Sequence, residues 1–91
     1  MKTVHVIVSG RVQGVWYRGW TVDTANRLNI TGWVRNRMDS TVEAMLSGDD
    51  DDVDRMLAAL YDGPPHANVS DVQISDKEYS EFKGFHQKPT V

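Results

Sequence analysis

The run Val4-His5-Val6-Ile7-Val8-Ser9-Gly10-Arg11-Val12-Gln13-Gly14-Val15-Trp16-Tyr17-Arg18 sets the architecture of the chain. Its first part alternates β-branched residues and is apolar on both faces, which predicts an interior strand over residues 2–9. Gly10 and Gly14 then bracket a loop. From Tyr17 onward Trp20, Ala25 and Leu28 share one helical face, with Asp23, Asn26 and Arg27 elsewhere, so a helix follows and stops near Asn29, a residue type that tolerates the left-handed position.

Downstream, Trp33, Arg35 and Arg37 alternate with Val34, Asn36 and Met38, and the alternation resumes at Val42, Ala44 and Leu46. This predicts a hairpin with one buried face, turning at Asp39-Ser40, where Ser40 is a poor turn residue. Val53, Met56, Leu57 and Leu60 follow the i, i+3, i+4, i+7 rule between four aspartates and Gly63-Pro64-Pro65, an amphipathic helix with both ends marked. Asp49 to Asp52 are read as helix-dipole and solvation chemistry. Val69, Val72 and Ile74 predict a further strand with a phase break near Ser70-Asp71, and Phe82 with Phe85 a short last strand or tail packed on the core. The expected fold is therefore α+β: one domain over residues 1–91 in ferredoxin-like βαββαβ order, an antiparallel sheet with two helices on one face.

Composition narrows the function. The net charge of -3 conceals an asymmetry, because residues 1–38 carry six Lys and Arg against one acid, Asp23. A basic first half in an acidic chain suits a small anion held locally and not a broad nucleic-acid footprint. The RNA-recognition fold shares this element order but needs stacking aromatics on its first and third strands, which are missing here. With no cysteine, disulfides, thiolate metal sites and thiol nucleophiles drop out, and His5, His66 and His86 show no metal-ligand spacing. The first residues lack the length and cleavage site of a signal peptide, and no apolar run is long enough to span a membrane. The expectation is a cytoplasmic chain with no metal and no cofactor, no nucleic-acid or membrane partner, acting as a monomer.

The loop at residues 10–18 lies between a strand and a helix N-terminus, where unpaired N–H groups and the helix dipole favour an anion. It is no Walker A loop, since three residues separate its glycines and no Lys-Ser/Thr follows Gly14, and it lacks the G-x-G-x-x-G spacing of dinucleotide folds. Arg18 is informative because a cation in the first helical turn opposes the macrodipole; it either extends into solvent or meets a bound dianion that reverses the sign. Asn36 falls within a strand, where asparagine is depleted, and pattern alone reads it as a satisfied polar residue.

Taken together, residues 9–18, Ser-Gly-Arg-Val-Gln-Gly-Val-Trp-Tyr-Arg, resemble the phosphate loop of the acylphosphatase family, and Gly32-Trp33-Val34-Arg35-Asn36 its asparagine motif. The resemblance continues through Asp39, Val42-Glu43-Ala44 and Gly63-Pro64-Pro65 to about Phe85. It implies a hydrolase of acyl phosphates, with Arg18 as catalytic arginine, Asn36 as catalytic asparagine, and the backbone of Arg11, Val12, Gln13, Gly14, Val15, Trp16, Tyr17 and Arg18 as the cradle. Inorganic phosphate would be both product and competitive inhibitor. Tyr17 stands where the family often has Phe, Ser40 where it has Gly, and His86-Gln87-Lys88 in place of an apolar last strand. The alternative function is a non-catalytic domain binding carbamoyl phosphate or phosphate, as in larger maturation enzymes that the family resembles.

Overall fold

Lys2–Arg11 form β1, with Val4, Val6 and Val8 turned into the core, and Thr31–Asn36 (β2) and Val42–Gly48 (β3) form the central hairpin. Tyr17–Arg27 (α1) and Asp50–Asp62 (α2) are the helices, Asn68–Lys77 is β4 and Phe85–Gln87 is β5. This is a computed structural model describing residues 1–91. Sixteen buried residues, drawn from the sheet (Val4, Val34, Leu46, Val72) and from both helices (Ala25, Met56, Leu60), make one core, which places both helices on the same sheet face. No helix is long and apolar enough to cross a membrane.

The ferredoxin-like α+β architecture is present, and the sheet differs from the expectation in one respect. It has five strands in the order β4-β1-β3-β2-β5, and β5 runs parallel to β2 while all other pairs are antiparallel. The reason is the route of the chain. β4 ends beside Thr3, at the end of the sheet where β1 and β2 begin. The segment after it crosses that end, held by Ser80, whose N–H donates to Thr3 Oγ1 (2.9 Å) and whose carbonyl accepts from Ser47 Oγ (2.6 Å). It enters the far edge at Phe85 opposite Gly32, the start of β2, and must then run with β2.

Other differences are local. β1 extends to Arg11 because it pairs with Asn68 beyond a bulge, where Gly10 and Val69 are partners and Ser70 is skipped, the phase break the pattern predicts. Gly10 (φ 116°) sits so close to Asn68 O that a side chain there would collide. In α1 the buried face is Tyr17, Thr21, Thr24 and Ala25, with Trp20 and Leu28 only partly covered. Threonine is admitted because its hydroxyl finds a local acceptor: Thr21 Oγ1 donates to Tyr17 O at 2.7 Å. Met38 lies beyond β2 and is exposed, and Ser40 takes a left-handed φ of 76° in the turn. Asn29 is left-handed as expected (φ 58°).

Candidate active site

β1 delivers the chain to the end of the sheet opposite the crossover, where residues 12–16 turn back into α1. Gly14 (φ 73°) and Trp16 (φ 65°) are both left-handed, the kind of backbone in which anion-binding concavities of N–H groups form. For tryptophan that conformation costs about 1–2 kcal/mol, strain of the kind that concentrates at functional sites. No side chain caps α1, no acid lies in its first turn, and none of the backbone N–H groups from Val12 to Gly19 meets a backbone carbonyl. The loop and helix start thus present a run of free donors at the positive end of the dipole.

A cavity of about 130 Å³ opens against this run, lined by Val12, Gly14, Trp16, Tyr17, Arg18, Gly19, Asn36 and Gln87. Arg18 is the only charged residue among them. It is half-buried and has no carboxylate partner, whereas Arg35, Arg37 and Arg55 all do. Asn36 closes β2 opposite Val42, on the core side with Val34. Its side-chain carbonyl Oδ1 is buried and has no hydrogen-bond partner. A buried acceptor left unpaired costs about 1–3 kcal/mol, so the pattern reading of a satisfied strand polar residue does not hold.

The structure brings Arg18, Asn36 and five cradle residues, Val12, Gly14, Trp16, Tyr17 and Arg18 itself, to one cavity. Arg11, Gln13 and Val15 do not line it. Arg11 is exposed at the end of β1, Val15 packs on the core, and the Gln13 side chain points to the hairpin, donating to Arg37 O and Thr41 O at 2.8 Å each. The Tyr17 side chain also belongs to the core: burial raises its pKa well above the ordinary phenol value, and its hydroxyl donates to Leu60 O at 2.7 Å.

Two lining residues were not singled out from sequence. Gln87 arrives through the parallel pairing of β5, partner to Val34, and nothing local marks it. Gly19 has its Cα under the indole of Trp16, which would have to move to admit a side chain; its place one residue after Arg18 was the only signal available.

Known proteins share this fold and much of this sequence. The family model described as Acylphosphatase matches residues 4–87. An acylphosphatase of Rhodospirillum rubrum is 52% identical over 91 residues, covering all of both chains, and one of Pelotomaculum thermopropionicum is 49% identical over 82 residues, 89% of each. Among solved structures, the crystal structure of acylphosphatase from Bacillus subtilis superposes with a TM-score of 0.93 at 30% identity, over 97% of this chain and 99% of that one.

Proposed function

The chain belongs to the acylphosphatase family and hydrolyses acyl phosphates to carboxylate and phosphate; from that premise we propose that Arg18 and the Val12–Arg18 amides hold the phosphoryl group while Asn36 orients the attacking water. The observation that carries this reading is that Asn36, whose side-chain oxygen is left without a hydrogen-bond partner, lines the same cavity as Arg18. A nucleophilic water needs an acceptor for one of its hydrogens, so that a lone pair faces phosphorus, and a carboxamide oxygen supplies it without adding charge.

The chemistry asks for little more. The water oxygen bonds to phosphorus as the acyl P–O bond breaks and its electron pair leaves on the carboxylate, and the water's proton passes to solvent. A carboxylate whose conjugate acid has a pKa near ~4 departs without protonation or a Lewis acid, so the reaction proceeds without metal. In a loose transition state charge gathers on the equatorial oxygens, where backbone N–H groups and a two-pronged guanidinium stabilise it. Inorganic phosphate occupies the same cradle as product and competitor. All these groups come from one chain, which supports a monomer, and a cysteine-free chain needs no oxidising compartment, which supports a cytoplasmic location.

Asn36→Ala tests the assignment. Turnover of benzoyl phosphate should fall about 10²-fold or more, while thermal melting holds or rises because an unpaired buried acceptor is removed. Near wild-type turnover would remove Asn36 from the reaction.

A further inference from the structure

The Gln13 side chain ties the loop between β1 and α1 to the β2–β3 turn. Its Nε2 spends both hydrogens on backbone carbonyls, Arg37 O and Thr41 O, at 2.8 Å each. Those carbonyls are the two that close the β2–β3 turn: Arg37 N–H donates to Thr41 O (2.9 Å) and Ser40 N–H to Arg37 O (3.1 Å). The turn is braced from within by Asp39, whose Oδ1 accepts from Thr41 N–H (3.1 Å) and Thr41 Oγ1 (2.6 Å). Gln13 therefore grips a rigid turn. On its own side it is followed by left-handed Gly14 in the amide cradle, and on the other side Arg37 directly follows Asn36.

We infer that Gln13 is a positioning residue for hydrolysis: it sets the distance between the phosphoryl cradle and the water-orienting Asn36 by fastening residues 12–16 to the turn after β2. This rests on the roles proposed above for Arg18 and Asn36. The physical argument is one of registration. β3 pairs with both β1 and β2, Val8 opposite Val42 and Val42 opposite Asn36, so the sheet registers the strands, but residues 12–16 lie beyond it. The cradle and Arg18 stand on one segment, the loop from β1 into α1; Asn36 stands on another, the end of β2. Phosphate binding needs only the first, whereas attack on phosphorus needs both held within about 0.5 Å of the productive geometry. A two-hydrogen clamp by a neutral amide serves this purpose and places no charge beside the anion.

A double-mutant cycle on the full chain tests it, using benzoyl phosphate turnover and inorganic phosphate inhibition. Gln13→Ala should lower kcat about tenfold, inside the ~10²-fold cost of a misplaced reacting group, and leave the phosphate inhibition constant within about twofold. In an Asn36→Ala background the same substitution should cost almost nothing, because there is no oriented water left to misplace. Gln13→Glu gives a second route that survives poor folding of the alanine variant. Its carboxylate cannot donate to either carbonyl, but its protonated form donates to one, so its kcat relative to wild type at the same pH should recover as pH falls. Full kcat in Gln13→Ala, an equal loss in both backgrounds, or a flat pH ratio for Gln13→Glu would each overturn the positioning role. If Asn36→Ala itself kept full turnover, the prior reading of the site would fail instead, so the two failures are distinct.

Discussion

The hydroxyl of Tyr17 donates a 2.7 Å hydrogen bond to the carbonyl of Leu60, joining the first residue of α1 to the last turn of α2. Leu60 needs that donor. Its helical partner would be the N–H of residue 64, and residue 64 is proline, which has none. Tyr17→Phe should therefore leave a buried carbonyl unpaired and cost about 1–2 kcal/mol. For a domain of this size that lowers Tm by about 5–10 °C, measured by thermal unfolding. An unchanged Tm would mean that water or a shifted helix end satisfies Leu60.

Arg18 stands in the first turn of α1 with no carboxylate beside it. Lysine should not replace it, because an ammonium lacks the planar fork that engages two phosphoryl oxygens. Both KM and kcat should worsen, since in the proposed role the ground-state dianion would already use this contact. Without ligand, Arg18→Ala should melt at or slightly above wild type, relieved of a cation at the positive helix end, and Arg18→Lys, which keeps the charge, should melt like wild type. Added phosphate should raise Tm appreciably only in wild type. Variants that melt much lower yet still respond to phosphate would make Arg18 structural.

On the sheet face away from the helices, Glu43 is buried between His5 (2.6 Å), Arg35 (2.6 Å) and Arg37 (3.6 Å). Burial alone pushes its carboxyl up, but the hydrogen bonds and charges of His5 and Arg35 outweigh this and hold it below the ordinary glutamate range. The ionised form therefore stabilises the fold at neutral pH. That contribution is complete above the unfolded-state pKa of about 4.3 and is lost as pH falls through the lower folded-state value. In denaturant titrations Glu43→Gln should be clearly less stable than wild type at pH 7, with the gap narrowing below about pH 4. A gap independent of pH would mean that lost packing, not charge, is responsible.

Hydrolysis of benzoyl phosphate should proceed at full rate with a chelator present, since the leaving carboxylate needs no Lewis acid. Activity lost to chelator and restored by magnesium would contradict the mechanism.

The sequence was most legible where a feature depends on near neighbours. α2 carries its start, apolar stripe and stop on one short continuous stretch, Asp49 to Pro65, and Val53, Met56 and Leu60 are buried as their spacing requires. The turn from β1 into α1 was legible for the same reason, as strand, loop and helix start are consecutive. The parallel direction of β5 was not, because it follows from where Ser80 is anchored, on Thr3 and Ser47, far away in the chain. Gln87 was missed with it. The Gln13 side chain was hidden too, since its acceptors are backbone carbonyls 24 and 28 residues on, which no residue type advertises.

Trp16 has a consequence for optical spectroscopy. Of the three indoles, Trp33 has the Arg35 and Lys88 cations over its ring at 4.6 and 4.8 Å, and Trp20 is tilted against Tyr17 and partly covered. Trp16 alone is wet, 63% exposed, at the lip of the cavity over Gly19. The red edge of the intrinsic emission therefore comes from the residue that borders the cavity, and the protein carries an unlabelled fluorophore with which stopped-flow mixing would follow any ligand that arrives at or leaves that lip.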